Sequence, residues 1–386
     1  MTVTTYIQAL LPPQPVHRRD GDDAGPLLTG LSARARALLA LTALAGLAGC
    51  IGLPAFRSAS CDSAASTAIT TSPTGESTTT LDVLIYNIEG LQWPARSGRA
   101  ARLRAIGESL RRLRERGEAP DIVLFQEAFS PAAVRSVVDT GYPSLASGPS
   151  RTQRSAYPAR DRLPGRPRPT KGELGFRLMT SGLVIASRYP ITGVVIDPYS
   201  RRACAGFDCL SNKGVMLATV EVPGVPQLIG IANTHMNARN ASRVAPARNL
   251  AAHQAQALEL ETFLADRHDL SQPLILGGDF NMRRSPERFA AFRQDNPLAL
   301  VHEYCLDNPA CEVRMSWDGD APWLDTQDLQ FFASGSQVRV TPIRVEAMFD
   351  GSPTSPKLSD HDGFRVIYRL SWSGKGAGRA TCASAG

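Results

Sequence analysis

Short apolar runs that end abruptly in polar residues recur along this chain. One run, residues 274–276, has the length of a buried strand and stops at a Gly-Gly pair, after which come Asp279 and Asn281. Residues two apart at a strand end can point the same way, so these side chains can hold one water or one phosphate oxygen between them. Further runs of this design end at Asn87, at Glu127, at His235 and Asn237, and at Asp360 and His361. The pattern predicts a cluster of metal-binding or proton-transferring side chains at strand ends.

Helical periodicity separates these strands. Over residues 99–116, leucine and isoleucine recur at three- and four-residue spacing with arginines on the other face, which predicts an amphipathic helix. A second long helix is expected over residues 247–266, and His253 and His268 are expected at the surface there. The alternation of strands and helices predicts sheets with helices packed outside them.

The N-terminal region has the features of an export signal. Two arginines precede an apolar segment, residues 37–48, that is too short to span a bilayer. The segment ends in Leu-Ala-Gly-Cys, which resembles the bacterial lipobox and implies lipidation of Cys50. An ordinary secretory signal is the alternative, and translation can start later than Met1. We therefore expect a signal peptide at 1–49, a Ser/Thr-rich linker at 50–80, a globular domain at 81–372 and a C-terminal tail at 373–386.

The cysteines agree with export. Of the seven in the chain, six remain when Cys50 is set aside, an even number typical of an oxidising compartment. We expect disulfides between Cys204 and Cys209, between Cys305 and Cys311, and between Cys61 and Cys382. A zinc site is the alternative, but the spacings lack the paired C-x2-C form. The predicted location is the cell envelope, as a lipoprotein of the periplasm or outer membrane, or the exterior.

The net charge of the chain is +6. This mild excess suits partners that bear phosphate without choosing among nucleic acid, lipid head group and inositol phosphate. Residues 147–178 form a Pro-rich stretch, with seven basic residues from Arg151 to Lys171. Such a long, Pro-rich segment is expected to form a solvated insertion outside the core.

The ordered set Asn, Glu, His, Asp-x-Asn and Asp-His resembles the endonuclease/exonuclease/phosphatase superfamily over residues 81–372. The resemblance implies an α/β (α+β) fold of the DNase I type, a four-layer α/β-β/α sandwich with two central mixed sheets flanked by helices. The segments SNKG, at 211–214, and THMNA, at 234–238, further resemble bacterial neutral sphingomyelinases. That likeness implies a Mg²⁺-dependent phosphodiesterase, with Mn²⁺ or Co²⁺ as substitutes. It would cleave sphingomyelin or a related phospholipid into phosphocholine and ceramide.

The resemblance also implies roles for the strand-end residues. Glu127 would bind the metal, assisted by Asn87, and Asp360 would help to hold the metal or order its neighbour. His361 would be the general base for the attacking water. His235 would stabilise or protonate the leaving alkoxide, while Asp279 and Asn281 would position the water and the phosphate.

Other assignments are less direct. Asp328 is expected to orient His235, with Asp325 as the rival, and Asn212 and Asn237 are expected to bind substrate. Lys213 is interpreted as an ordinary, exposed strand-end lysine.

The chain departs from the sphingomyelinase pattern in two places. Thr180 and Ser181 stand where the family has an acidic residue that orients the base, and Glu173 is a candidate to replace it. The segment EAMFDGSPTSPK, with the single aromatic residue Phe349, replaces an aromatic-rich membrane-inserting hairpin. A DNase I-like endonuclease and an inositol-phosphate or other phosphomonoesterase remain alternatives, as does a lipid-anchored binding protein. We expect a monomer that reaches a membrane through its lipid anchor.

Overall fold

The computed structural model describes residues 52–58, 67–92, 95–158, 162–294, 296–315, 326–353 and 355–374. The helices in this part are α1 (Arg99–Glu115), α2 (Pro131–Asp139), α3 (Pro246–Arg267), α4 (Pro286–Arg293) and α5 (Val301–Asp307). The strands are β1 (Thr70–Thr71), β2 (Glu76–Asn87), β3 (Ile122–Gln126), β4 (Ser144–Ser147), β5 (Val184–Ser187), β6 (Ile191–Pro198), β7 (Gly214–Val220), β8 (Ile229–His235), β9 (Leu274–Asp279), β10 (Ala299–Leu300), β11 (Glu312–Arg314), β12 (Asp328–Ala333), β13 (Arg339–Met348) and β14 (Gly363–Ser373). Short 3₁₀ turns occur at Pro169–Lys171 and Gly206–Leu210.

These strands form two mixed sheets. The first has the order β11-β13-β14-β2-β3-β5-β4, with β1 paired to β2, and the second has the order β10-β12-β9-β8-β7-β6. β2 runs parallel to β3, and β8 runs parallel to β9. Parallel neighbours end at the same edge of a sheet, so the polar residues that follow these four strands are brought to one side of the molecule.

Three apolar cores hold the layers together. The central core lies between the inner faces of the two sheets and includes Ile85, Leu124, Ile231 and Ile275. A second core joins the outer face of the first sheet to α1 and α2, and a third joins the second sheet to α3 and α4. Full burial of each such side chain contributes about 1.5–3 kcal/mol. The predicted four-layer sandwich is confirmed.

Both predicted long helices are present. α1 buries its leucines and isoleucine at the expected spacing, against the first sheet. On α3, however, the expectation for His253 was wrong: its side chain is fully buried, and Nε2 donates to the carbonyl oxygen of Phe280 at 2.8 Å. α3 buries a wide face that carries several polar residues, and apolar periodicity alone does not reveal such a face. His268 is partly buried.

The domain begins earlier than predicted. β2 starts at Glu76, within the expected linker, because Ser77 and Thr79 alternate inward and pair with the end of β14. Threonine is compatible with strands, so a Ser/Thr-rich segment need not be a linker. β14 ends at Ser373, and Arg57 forms backbone hydrogen bonds with Leu145.

Two of the three predicted disulfides are present, Cys204–Cys209 and Cys305–Cys311. Structural disulfides of this kind are typical of exported proteins. The expected signal peptide, Cys50, the Cys61–Cys382 pair and the tail beyond Gly374 lie outside the described residues. Within the described part, no helix is long and apolar enough to cross a membrane.

Candidate active site

Polar side chains from both sheets meet at one edge of the sandwich. In the second sheet, strand register places His235 beside Asp279 and Asp279 beside Asp328. In the first sheet, Asn87 is the last residue of β2, and Glu127 directly follows β3. The predicted convergence of the strand ends is therefore present, although the pairings within it differ from those expected.

Two carboxylates face each other at the centre of the site. The Nδ2 of Asn87 donates to Glu127 Oε1 at 3.2 Å and to Asp279 Oδ2 at 3.0 Å. Burial raises the pKa of both carboxyl groups. The Oδ1 of Asn87 accepts from the backbone N–H of Glu89, so in this arrangement Asn87 orders the two carboxylates through its Nδ2. The expected part of Asn87 in metal binding stays a prediction.

His361 is oriented by Asp328. Its Nδ1 lies 2.7 Å from Asp328 Oδ2, whereas Asp328 was expected to orient His235. The correction follows from topology: β12 pairs with β9, on the side of β9 away from β8, so Asp328 is one strand too far from His235. Burial alone lowers the pKa of His361, but the charges of Asp328 and the neighbouring carboxylates raise it to about 10. Asp325, the rival, lies outside the described residues.

The other ring nitrogen of His361 faces the reaction centre. Nε2 is 3.0 Å from the amide nitrogen of Gln327 and 3.8 Å from Asp279 Oδ2. Because Asp328 accepts from Nδ1, Nε2 is the atom left to exchange a proton with a bound molecule. Gln327 was not recognised from the sequence, since it precedes β12 without any motif.

His235 lies on the other side of Asp279. Its Nε2 is 3.4 Å from Asp279 Oδ2 and 2.9 Å from Lys213 Nζ. Burial, together with the charges of Lys213 and His361, holds the pKa of His235 well below its ordinary value of 6.5. The imidazole is therefore neutral near pH 7, and Lys213 is the cation on this side of the site.

Lys213 was wrongly expected to be exposed. It is 6% exposed, forms an ion pair with Asp208, and donates to the backbone carbonyl of Met236 at 2.9 Å. Lys213 directly precedes β7, and the start of β7 pairs with the end of β8, which carries His235. A lysine before a buried strand is ordinary, so spacing alone did not separate it from a surface residue.

Asn281 supports Asp279. Its backbone N–H donates to Asp279 Oδ1 at 3.0 Å, and its Nδ2 donates to the carbonyl oxygen of Met236 at 3.0 Å. The backbone of Asn281 is left-handed, with φ 53°, a conformation that asparagine tolerates. The turn after β9 thus fixes both residues of the Asp-x-Asn motif in one place.

Asn237 and Asn212, which were expected to bind substrate, are both buried and hydrogen-bonded to neighbouring loops. Asn237 is fully buried, accepts from the N–H of Ala205 and donates to the carbonyl of Ala238. Asn212 donates to the carbonyls of Ser150 and Gln153 and so anchors the Pro-rich insertion. Both side chains hold loops in place.

Glu173 and Asp360 are the two remaining acidic residues that the sequence indicated for the site. Glu173 does not support His361; it forms an ion pair with Arg248 at 2.8 Å. Asp360 lies at the rim, with a side chain 53% exposed and Oδ1 4.0 Å from His361 Nε2. Asp360 Oδ2 also lies 3.9 Å from Arg96 Nη2. Arg96 makes a shorter ion pair, of 3.1 Å, with Glu89.

The donor set suits a hard divalent cation. Asp279, Asp328 and His361 each place a ligand atom within 4.8 Å of the others. The Asp328 oxygen and His361 Nδ1 already bond to each other, so the facing carboxylates of Glu127 and Asp279 fit Mg²⁺ better, because Mg²⁺ prefers oxygen ligands. Burial raises the pKa of these two groups, although the charges of His361 and Lys213 act in the opposite direction, so a bound cation would stabilise the ionised carboxylates further.

Two cavities flank this cluster and both contact Arg283 and Gln327. The acidic cavity, about 340 Å³, is lined by His361 and by four aspartates, Asp328, Asp350, Asp360 and Asp362. The arginine cavity, about 350 Å³, is lined by Asn281 and by three arginines, Arg239, Arg283 and Arg284. The arginines were not singled out in the sequence, because they lie in loops without a motif.

Comparison with known proteins agrees with the fold. A beta toxin structure from Staphylococcus aureus with bound magnesium ions is similar at TM-score 0.51 and 17% identity, covering 76% of this chain and 100% of that one. Sphingomyelinase C from Streptomyces griseocarneus is similar at TM-score 0.51 and 20% identity, covering 75% and 99%. At such identities the likeness shows the fold. No curated protein sequence matches the chain. The model of the Endonuclease/Exonuclease/phosphatase family matches residues 84–361, and the protein belongs to this family of metal-dependent hydrolases.

Proposed function

We propose that the protein is a metal-dependent phosphodiesterase that cleaves a phospholipid of the sphingomyelin type in the manner of a phospholipase C. The observation that carries the proposal is the Asp328-oriented imidazole of His361 beside the facing carboxylates of Glu127 and Asp279. An oriented base and a site for a divalent cation are the requirements for attack of water on a phosphodiester.

The roles follow from the positions of the side chains. A divalent cation held by Glu127 and Asp279 would offset the carboxylate charge that raises the pKa of His361, so that the ring could lose its extra proton. Nε2 of the neutral ring then takes the proton of the attacking water, while Asp328 fixes the ring through Nδ1. A divalent cation at Glu127 and Asp279 would neutralise charge that builds up on the phosphate. Lys213, with neutral His235, lies on the opposite side of Asp279 and stabilises the leaving oxygen.

The acidic cavity supports a substrate with a cationic head group. Lys357 forms an ion pair with Asp362 at 2.7 Å. Asp350 and Asp360 also line the cavity, and neither of them forms an ion pair with Lys357. A positively charged choline beside the scissile phosphate would be attracted by these carboxylates. The phosphocholine half of the lipid therefore fits on the His361 side.

Access to lipid does not come through the loop before β14. Phe349 is 3% exposed and stacks on Tyr86 with ring centroids 4.8 Å apart, so it is not available to enter a bilayer. In this proposal the lipid anchor at Cys50 fixes the enzyme at the membrane.

A second candidate, an endonuclease, is favoured by the arginine cavity. Arg239, Arg283 and Arg284 beside Asn281 can neutralise the phosphates that flank a scissile bond in nucleic acid. Such a contact would make activity fall steeply as salt increases.

One paired experiment separates these candidates. We would measure phosphocholine release from sphingomyelin micelles, with Mg²⁺ and with EDTA, beside nicking of plasmid DNA under the same conditions. The expected result is Mg²⁺-dependent phosphocholine release that is lost in His361→Ala and retained in Arg283→Gln/Arg284→Gln. Nicking without phosphocholine release, lost in the double arginine variant, would establish the endonuclease instead. No metal-dependent cleavage of either substrate would refute both.

A further inference from the structure

A second basic pocket lies outside the active site. It opens between the Pro-rich insertion, the loop closed by the Cys204–Cys209 disulfide and the start of α3, and has a volume of about 510 Å³. We call it the insertion pocket, and its lining includes Arg162, Arg166, Arg177, Arg201, Arg202 and Arg248. It shares no lining residue with the acidic cavity or the arginine cavity.

The positive charge of the insertion pocket is not balanced from within. Glu173 is the one acidic residue in its described lining. Both oxygens of Glu173 accept from the guanidinium of Arg248, and they also accept from the backbone N–H groups of Gly206 and Arg168. Glu173 is thus engaged by Arg248 and by backbone donors, and the described lining carries six arginines and one carboxylate.

Arg177 forms the floor and is held in a fixed position. Its Nη1 donates to the carbonyl oxygen of Cys209 at 2.9 Å and contacts Cys204 Sγ at 2.8 Å. Both partners are neutral, and in the described part of the chain no carboxylate forms an ion pair with Arg177. Burial, together with the charge of Arg201, lowers the pKa of Arg177 to about 10. The guanidinium is therefore placed where a bound anion would relieve an existing electrostatic cost.

The walls are fixed before any ligand binds. Arg248 donates to the carbonyl oxygens of Leu163, Pro164 and Gly165 and so ties the insertion to α3. The disulfide closes the opposite wall. A preformed site loses less conformational entropy on binding than a flexible surface does. Four of the arginines, Arg162, Arg166, Arg201 and Arg202, are exposed at the rim and accessible to solvent.

We propose that the insertion pocket is a binding site for a phosphate-bearing anion, separate from the catalytic cluster. Guanidinium groups match phosphate oxygens because their N–H groups form paired, charge-assisted hydrogen bonds. The phosphate can belong to a soluble molecule or to the head group of an anionic lipid. The exposed side chains of Phe176 and Phe207 lie on the insertion and on the disulfide loop, where a lipid surface would reach them.

The test compares three double variants in EDTA, so that no metal-bound anion contributes. Binding of pyrophosphate is measured by titration calorimetry, and binding to vesicles of phosphatidylcholine with or without phosphatidate by sedimentation. Arg201→Gln/Arg202→Gln removes two rim charges of the insertion pocket. Arg283→Gln/Arg284→Gln removes two charges of the active site, and Arg102→Gln/Arg104→Gln removes two exposed charges of α1. An unchanged melting temperature would show that each variant is folded, and retained hydrolysis would confirm it for Arg201→Gln/Arg202→Gln and Arg102→Gln/Arg104→Gln.

We expect the wild-type protein to bind pyrophosphate, phosphatidate vesicles or both. Affinity should fall at least about tenfold in Arg201→Gln/Arg202→Gln, as expected for loss of hydrogen bonds to a charged group, and little in the other two variants. Binding of vesicles alone would identify the lipid head group as the source of the phosphate. Absence of any binding, an equal loss in all three variants, or a loss confined to Arg283→Gln/Arg284→Gln would each overturn the proposal.

Discussion

Replacement of Asp328 by asparagine tests which histidine this carboxylate serves. Asp328 Oδ2 lies 2.7 Å from His361 Nδ1, and the two side chains are 5% and 9% exposed. A hydrogen bond to a charged group contributes about 1.5–3 kcal/mol, and the introduced amide would keep the shape while losing the charge. If this energy is expressed in the transition state, when His361 gains a proton, kcat should fall roughly ten- to a hundredfold with little change in KM.

The assay is a double-mutant cycle on Mg²⁺-dependent hydrolysis of a chromogenic phosphodiester. In a His361→Ala background, Asp328→Asn should cause almost no further loss, because the group through which Asp328 acts is already absent. In a His235→Ala background, Asp328→Asn should keep its full effect. If Asp328→Asn instead caused its full loss of kcat in the His361→Ala background and no further loss in the His235→Ala background, Asp328 would not be the residue that positions His361.

A stability measurement accompanies the cycle. Asp328 Oδ1 is buried and has no hydrogen-bond partner among the described residues, so the exchange of that oxygen for an NH₂ group breaks no hydrogen bond there. The free energy of unfolding should change by no more than about 1–2 kcal/mol, the cost of a buried unsatisfied group. A larger loss of stability with a rise in KM would mean that Asp328 holds the fold of the site and not the imidazole.

Three further results are expected. Glu127→Gln should weaken Mg²⁺ binding at least about tenfold, as measured by calorimetry. In EDTA the same variant should have a higher melting temperature than the wild type, because one of two facing negative charges is gone. A lower melting temperature in EDTA would contradict this. Lys213→Met should reduce kcat and raise the pKa of His235, measured by NMR, since Lys213 lies 2.9 Å away and its charge lowers that pKa; an unchanged pKa would contradict the contact. His253 has a pKa lowered by burial to about 3, from 6.5. The unfolded chain binds the proton first, so stability is lost as pH falls below 6.5, by up to about 5 kcal/mol at 1.36 kcal/mol per pKa unit. The stability difference between wild type and His253→Gln should shrink between pH 7 and pH 4; a constant difference would rule this out.

The sequence predicted those features that depend on local pattern. Apolar runs ending at Asn87, His235 and Asp279 are strand ends in the structure, because a buried strand must stop where polar residues begin. α1 and α3 lie within a residue or so of their predicted bounds, since apolar spacing determines a helical face. The two short disulfide loops were also accessible, because close cysteines can bond without long-range information.

Pairings across the sandwich could not be predicted in this way. The partner of Asp328 depends on the order β12-β9-β8, a property of sheet topology that no local motif encodes. Likewise, Asn237 follows a strand end as Asn281 does, but its side chain turns inward to Ala205, whereas Asn281 lies beside Asp279. Residue type and spacing were the same, and only the course of the following loop separates a structural amide from one in the site.

The same distinction bears on substrate choice. Asn87, His235, Asp279 and Asp328 lie on strands, whereas the charged residues of the acidic and arginine cavities other than Asp328 lie in loops. Replacing Asp350 by asparagine, with its side chain outside the strands, should therefore weaken capture of a cationic head group through KM and leave kcat unchanged for a small diester that lacks a cationic group. Hydrolysis of sphingomyelin and of bis(4-nitrophenyl) phosphate by the variant measures this. Equal losses on both substrates would mean that the loops take part in the chemistry itself.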